Sequence, residues 1–388
     1  MLVMDACGVG ALPDAADYGD EHTNTLAHVA EAVGGLELPT LARLGLGSIL
    51  ALKGVPAADD PAIHGRLHPL GPGKDSVTGH WELMGVVVEH ALPTYPEGFP
   101  PSVTERLAAA MGHQVTCNRP YNGIAAIEDF GSEHLRTGAL ILYTSQDSVL
   151  QLAAHVERVA LSELYRACAA ARSAMGGEHA VGRVIARPFT GGDGAFRRAG
   201  GRRDFTLRPP APSYLEELQR AGVEAHGVGK VGDLFAGVGI TQSHPGDTNA
   251  QALEQANAVL DELERGLVFV NLIETDQVYG HRKDVHGFDR ALRELDADLA
   301  RRLKLLRPHD LLIVTADHGV DPAHAGSDHT REYAPLLAVT GQMLRAGESG
   351  GRWGGARHDG PLADVGATVL RWLTAAAADE LPGESFIS

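Results

Sequence analysis

Three short apolar runs each break off at an aspartate. They are residues 2–4 before Asp5, 267–273 before Asp276, and 311–315 before Asp317. Leu-rich and β-branched runs without polar alternation are the pattern of strands buried on both faces, which requires a sheet covered by helices. A helical repeat separates the last two runs: Leu292, Leu295, Leu299, Leu303 and Leu306 recur at spacings of three and four until Pro308. Another precedes the second run, with Leu253, Ala256, Leu260 and Leu263 on one face and Gly266 after it. Strand, helix, strand in that order predicts a mostly parallel α/β sheet. Ligands bind such sheets at the carboxyl ends of the strands, where all three aspartates are expected.

A chain of 388 residues has room for two domains, or for one large domain carrying an insertion. Two Pro-rich stretches, residues 93–101 and 209–212, flank a segment with its own strand at 140–144 and an expected helix around 149–170. That arrangement predicts a core made of residues 1–93 and 213–388 with an inserted domain at 94–212. Two ordinary surface loops are the other reading. Hydrophobic residues at 44% and charged residues at 21% exclude a disordered chain. No apolar run approaches the roughly 20 residues that span a bilayer, and Met1 to Met4 run straight into Asp5 without a secretory core. A net charge of −17 argues against nucleic acid as a partner. Cys7, Cys117 and Cys168 are too few and too scattered for a disulfide framework or a zinc finger, so a reduced cytoplasm is expected.

The 19 histidines direct attention to metals, because several stand beside aspartates at these strand ends. Asp317 and His318 are adjacent, His329 follows Asp328, and His281 lies five residues after Asp276. With Asp5 this gives three carboxylates and three imidazoles without a thiolate, a donor set for Mn, Zn or Fe rather than a structural zinc site. One catalytic ion uses about three protein ligands, so six point to two ions, the arrangement that stabilises both attacking and leaving oxygens in phosphoryl transfer. Taken singly, an aspartate after a strand reads equally as a helix N-cap and a histidine as a core residue.

A second signal is the Gly-flanked segment Gly73-Lys74-Asp75-Ser76-Val77-Thr78-Gly79, ahead of a helix expected to begin near His80. A helix N-terminus holds phosphate, and a hydroxyl there beside a metal can attack phosphorus. Thr78 is the candidate nucleophile, Ser76 its rival, and a plain N-cap the alternative role for Thr78. The segment lacks the Walker pattern. A third signal is basic: Arg183, Arg187, Arg197, Arg198, Arg202 and Arg203 around Gly191-Gly192-Asp193-Gly194, either an anion-receiving loop or a solvated charge run.

Together these motifs resemble those of the phosphopentomutases, a branch of the alkaline phosphatase superfamily. The resemblance runs through Asp5-Ala6-Cys7-Gly8-Val9-Gly10, Lys74-Asp75-Ser76-Val77-Thr78-Gly79-His80-Trp81-Glu82, Tyr279-Gly280-His281-Arg282, Thr315-Ala316-Asp317-His318-Gly319 and Asp328-His329-Thr330-Arg331-Glu332. It departs at Ala6-Cys7, where many relatives have Ser-Val, and at Glu274, where Asp is common. Only four residues precede Asp5, so a short first strand is expected.

The resemblance implies an alkaline-phosphatase-like α/β core, with a mostly parallel central sheet, and an inserted smaller α+β cap. It implies two Mn2+ per chain, other divalent ions being alternatives. Asp5, Asp317, His318 and Thr78 would hold one, and Asp276, His281 and His329 the other. Ser145 and Asp147 would meet the pentose, and Arg197 and Lys230 the distal phosphate. The implied activity interconverts (deoxy)ribose 1-phosphate and (deoxy)ribose 5-phosphate through phospho-Thr78 and a bisphosphate intermediate, with a sugar bisphosphate priming the enzyme. A metal-dependent phosphatase, or a mutase for another small phosphate in the same superfamily, is the alternative. A catalytically dead metal-binding module is the reading from another class. The expected partner is a small pentose phosphate, without nucleic acid or membrane, for a cytoplasmic monomer or weak oligomer.

Overall fold

Leu2–Met4, three fully buried residues, lies inside an eight-stranded sheet. The computed structural model describes residues 1–145 and 147–387. Across this sheet the order is Gln242–His244, Glu224–Val228, Gly266–Leu272, Leu2–Met4, Leu311–Thr315, Ala334–Thr340, Ile63–His68 and Gly360–Pro361. Ala334–Thr340 pairs antiparallel with both neighbours, and every other pairing is parallel, so one strand alone is reversed. The three Asp-terminated runs are adjacent: Val3 stands opposite both Asn271 and Thr315. That register brings Asp5, Asp276 and Asp317 to one edge. The strands are buried along nearly their whole length because helices cover the sheet.

The helix Val285–Leu303 buries Phe288, Leu292, Leu295 and Leu299, and the Asp284 carboxylate accepts from Gly287 N–H at its start. Leu306 lies beyond its end. The helix Asn249–Glu262 buries Ala252, Leu253, Ala256 and Val259, whereas Leu260 is 42% exposed and Leu263 caps the helix. The buried stripe therefore runs one position earlier than the spacing of the leucines suggests.

Contacts divide the chain into two units, Met1–Ala91 with Pro209–Ser388, and Leu92–Arg208. The second unit has a mixed six-stranded sheet, ordered Val115–Pro120, Leu140–Thr144, Val149–His155, Arg183–Thr190 and Arg197–Arg198, with Arg203–Thr206 also paired to Arg183–Thr190. Alternation along one strand serves two cores. Leu140 and Leu142 join Val103, Leu107, Leu164 and Cys168, while Ile141 and Tyr143 join Ala126, Ile127 and Phe189. The helix expected around 149–170 is instead a fully buried strand, Val149–His155, followed by the helix Leu161–Ala174. A short apolar run carries no period that separates buried strand from buried helix, and pairing with Leu140–Thr144 and Arg183–Thr190 decides it. Among the described residues no helix is long and apolar enough to cross a membrane.

Candidate metal centre

Asp5 follows its strand directly, and the chain turns at once through a left-handed residue, Ala6, at φ 63°. Such a backbone costs about 1–3 kcal/mol for a residue with a Cβ and persists where surrounding contacts impose it. Here the contact is the Ala6 N–H, which donates to Asp317 Oδ1 at 3.2 Å, while the Ala6 carbonyl accepts from Val320 N–H at 3.2 Å. Two strand ends are thereby tied together.

Asp276 lies in a π-helical turn, Thr275–Gly280, with His281 as its C-cap. Thr275 secures that turn by donating its hydroxyl to the Asp5 carbonyl at 2.6 Å. His281 Nε2 stands 3.2 Å from Asp276 Oδ1, and His329 Nε2 stands 3.4 Å from the same oxygen. The other His281 nitrogen, Nδ1, is 2.6 Å from the Ser327 carbonyl, which assigns the proton to Nδ1 and leaves Nε2 as a lone pair. His318 Nδ1 is 3.1 Å from the Gly319 carbonyl, and its Nε2 is 3.3 Å from Asp5 Oδ1 and 3.4 Å from Asp317 Oδ2. The His318 and His329 rings are 4.2 Å apart and the His281 and His329 rings 4.9 Å apart. All six sequence-predicted donors thus converge at one edge of the sheet.

The segment bearing Thr78 is helical from Ser76 to Leu83, not from near His80. Asp75 is the reason: its carboxylate accepts from Val77 N–H at 2.9 Å and Thr78 N–H at 3.2 Å, a stronger N-cap than a threonine hydroxyl. Thr78 is therefore inside the first turn and is not the cap. Its Oγ1 donates to Asp75 Oδ2 at 2.8 Å. Ser76 Oγ is the hydroxyl that touches the cluster, 3.1 Å from His318 Nε2 and 3.5 Å from Asp5 Oδ1. Gly79 brings the helix hard against Asp317, since a Cβ there would stand 2.5 Å from the Asp317 carbonyl oxygen.

The electrostatics favour a cation. Burial pushes the Asp317 carboxyl up, but the His318 charge and the hydrogen bond from the Ala6 N–H prevail and hold it at about 2. Burial likewise opposes ionisation of Asp276, and His329, His281 and Lys230 outweigh it and depress that carboxyl. Burial disfavours the His318 imidazolium, yet Asp317 and Asp5 raise its pKa well above the ordinary value. Asp276 Oδ1 and Asp317 Oδ2 are buried without a hydrogen bond among the described residues. Buried carboxylate oxygens are rarely left so, and a metal ion would supply the missing partner. Two sets of donor atoms, Asp5 with Asp317 and His318, and Asp276 with His318 and His329, each fall within 4.8 Å of one another. Oxygen and imidazole donors at this spacing fit divalent cations.

Of the other predicted residues, Lys230 is in the same unit, half-buried, two residues past the strand Glu224–Val228 and opening the short helix Val231–Leu234. Ser145, Asp147 and Arg197 belong to the second unit. Ser145 Oγ accepts from Asp147 N–H at 3.3 Å, and Arg183 lies 3.5 Å from the Asp147 carboxylate. Arg197 is exposed on its two-residue strand. In that unit Arg187 is pushed down to about 10 by burial and by Arg202 and Arg198, and its Nε donates to Gln151 at 3.0 Å.

Three residues near the centre had no role in the sequence reading. Asn271 Nδ2 donates to Asp5 Oδ2 at 3.0 Å and lies 3.0 Å from His80 Nε2. Its one signal is an amide inside an otherwise apolar strand. His80 Nδ1 is 2.9 Å from the Ser76 carbonyl and 3.0 Å from Asp317 Oδ2. Arg331, buried, grips Asp14 and donates to the Gly73 carbonyl at 2.7 Å, bracing the loop before Thr78.

A parallel sheet with carboxylates and imidazoles gathered beyond its carboxyl edge defines a metalloenzyme, and the family model described as the Metalloenzyme superfamily matches residues 1–377. The phosphopentomutase of Caldanaerobacter subterraneus subsp. tengcongensis is 46% identical over 370 residues, covering 95% of this chain and 92% of that one. The phosphopentomutase of Dictyoglomus thermophilum is 44% identical over 389 residues, covering 100% and 97%. That of Carboxydothermus hydrogenoformans is 47% identical over 350 residues, covering 89% of each. The chain belongs to the phosphopentomutase family. It is accordingly an isomerase, an intramolecular phosphotransferase acting on a pentose phosphate.

Proposed function

We propose that the chain interconverts (deoxy)ribose 1-phosphate and (deoxy)ribose 5-phosphate through a phosphothreonine at Thr78 and a sugar bisphosphate. The observation that carries this reading is the convergence of six carboxylate and imidazole groups, two of whose buried oxygens lack hydrogen bonds among the described residues, against the first turn of the Thr78 helix. Asp5, Asp317 and His318, with Thr78, would hold one Mn2+, and Asp276, His281 and His329 the other. When bound, the two ions neutralise charge on the transferring phosphoryl group and on the threonine oxygen.

The remaining chemistry falls to the chain itself. The free hydroxyl of the bound monophosphate attacks phosphorus of phospho-Thr78, the bond from phosphorus to Thr78 Oγ1 breaks, and a bisphosphate forms. After the sugar turns round, Thr78 Oγ1 attacks the other phosphate and the isomeric monophosphate leaves. The Val77 and Thr78 N–H groups are taken by the Asp75 carboxylate, so the helix start would contribute its positive dipole to phosphate rather than a row of free donors. Ser145 and Asp147 would bind the sugar hydroxyls, and Arg197 and Lys230 the distal phosphate. A primed enzyme needs a trace of sugar bisphosphate once the threonine is bare. The reading takes the enzyme to be a cytoplasmic monomer or weak oligomer that acts on a small substrate alone.

Ser76 is a second candidate carrier, because its hydroxyl and not that of Thr78 contacts His318 and Asp5. The test is incubation with Mn2+ and a glucose bisphosphate, then fragment-level peptide mass spectrometry. Phosphate on Thr78 supports the proposal, phosphate on Ser76 moves the nucleophile, and none at either removes the phosphoenzyme. Release of inorganic phosphate as fast as substrate disappears would favour the phosphatase reading.

A further inference from the structure

Asn271 is wholly buried in the strand Gly266–Leu272, where its neighbours in sequence are Val270 and Leu272. A buried amide in an apolar strand is costly unless its hydrogens are used. Both are used here, and on different groups. One N–H of Nδ2 donates to Asp5 Oδ2 at 3.0 Å, and the other points at His80 Nε2 at 3.0 Å. His80 Nε2 is therefore an acceptor, so its proton sits on Nδ1. That N–H faces the Ser76 carbonyl at 2.9 Å, with Asp317 Oδ2 at 3.0 Å. Turning the ring over would put carbon atoms against the Asn271 amide and the Ser76 carbonyl, and the ring is fully buried and stacks on Phe269 at 5.7 Å and 15°. Rotating the amide would aim its oxygen at the Asp5 carboxylate, so the orientation is fixed by charge as well.

We infer that Asn271 and His80 are positioning residues, a two-member relay that ties the carboxylate of Asp5 to the first turn of the Thr78 helix, with the His80 ring packed against Asp317, as one unit. Asn271 holds one oxygen of Asp5 and leaves the other turned toward His318. His80 carries the same constraint to the backbone of Ser76, and its ring packs within 3.0 Å of Asp317 Oδ2. The relay touches neither Asp276, His281 nor His329, so it serves only one of the two donor groups. The inference rests on the two-ion reading above and adds which second layer of residues tunes which ion.

The experiment is metal titration of the metal-free protein with Mn2+ by calorimetry, and with Co2+ by visible absorption, for the unaltered chain, Asn271→Leu and His80→Gln. The unaltered chain is expected to bind in two resolved phases. Asn271→Leu keeps the volume and removes both donors, and should weaken one phase by roughly 10–100-fold, the usual cost of losing a residue that orients a metal ligand. The other phase should stay within about twofold, and the cobalt spectrum should change for the weakened phase alone. His80→Gln keeps an acceptor for Asn271 but loses the Nδ1 proton, and should weaken the same phase; it carries the test if Asn271→Leu does not fold. Turnover of the Mn2+-loaded variants should fall in kcat with KM for the pentose phosphate little changed. Both phases unchanged in a folded variant, or both weakened equally, would overturn the relay. An unaltered chain binding one ion or none would instead overturn the two-ion reading.

Discussion

His281 and Asp276 are joined twice, by the His281 N–H donating to the Asp276 carbonyl at 3.2 Å and by the His281 Nε2 lying 3.2 Å from the Asp276 carboxylate. The first contact is the i→i+5 bond of a π-turn, a geometry uncommon in helices and frequent at functional sites. An α-helical turn would place residue 280, not 281, nearest the carboxylate's side of the helix. The extra residue is what lets both side chains face one point. His281→Ala should therefore remove one ion and leave the other: metal content by mass spectrometry is expected to fall from two per chain to one. Turnover should drop by more than the roughly 10–100-fold that an outer-layer change costs.

The ion pair of His318 with Asp317 and Asp5 predicts a pH dependence that reverses on metal binding. His318 has a raised pKa, so its contribution to the stability of the metal-free protein is complete below the unfolded value of 6.5 and is lost as pH climbs through the raised one. Asp317 is depressed to about 2 from 3.8, so its contribution is present above 3.8 and lost as pH falls toward 2. Metal-free protein in chelator should then lose melting temperature from neutral to alkaline pH. Metal binding must expel the His318 proton, so Mn2+ affinity should rise over the same range, with proton release seen in buffers of different ionisation enthalpy. Affinity flat with pH would remove the imidazolium.

The core was legible where burial wrote a plain pattern. Leu2–Met4 and Leu311–Thr315 are apolar throughout and end at aspartates, so both the strands and the ligands beyond them could be read together. Glu224–Val228 and Gln242–His244 could not, because short strands carrying Glu, His, Gln and Ser near one end of the sheet show no apolar run. The donors of the site were legible because Asp and His recur beside strand ends. What sequence spacing could not convey was rotamer and partner: that Asp75 rather than Thr78 caps the helix, and that Ser76 faces His318. Asn271 was hidden for a related reason, since its role is defined by groups 191 and 266 residues away.

Gly79 is expected to tolerate no side chain. A Cβ there meets the Asp317 carbonyl oxygen at 2.5 Å and the Asp317 carbonyl carbon at 3.0 Å, atoms of a buried backbone that cannot swing aside. Gly79→Ala should cost about 1–3 kcal/mol by overpacking and lower turnover more than stability, because the displaced element carries Thr78. Gly192 has nothing within 4 Å of a built Cβ, and Gly192→Ala should stay within about 0.5 kcal/mol. Chemical denaturation and initial rates on the two variants separate these outcomes.

The cysteines should differ in reactivity by burial. Cys168 is fully buried and its thiol is pushed up to about 12, chiefly by burial. Burial also raises Cys7 well above the ordinary value, and its thiol lies 3.8 Å from the Asp5 carbonyl. Cys117 is half-exposed, and partial burial raises its thiol too. Thiolate is the reactive form, so native protein near pH 8 should take up a single alkyl group from iodoacetamide, slowly, at Cys117. Modification of Cys7 before unfolding would mean that the Asp5 turn opens in solution.

Arg331 gives the last test, because one side chain there braces two segments of the site. Its guanidinium pairs with Asp14 at 2.9 Å and donates to the Gly73 carbonyl at 2.7 Å, while its backbone N–H donates to Asp20, which also receives Lys74 at 3.0 Å. The side chain is 5% exposed but Asp14 is 45% exposed, so solvent screens the ion pair and its loss alone is worth little. The buried bond to Gly73 is the larger matter, since removing it leaves a carbonyl without its partner at a cost of about 1–3 kcal/mol. Arg331→Lys keeps the charge and cannot fork to both partners. It should lose a melting-temperature increment of similar size to Arg331→Met, which has no charge at all. If Arg331→Lys instead matches the unaltered chain in stability and in turnover, charge alone suffices and the fork to Gly73 does not brace the Thr78 loop.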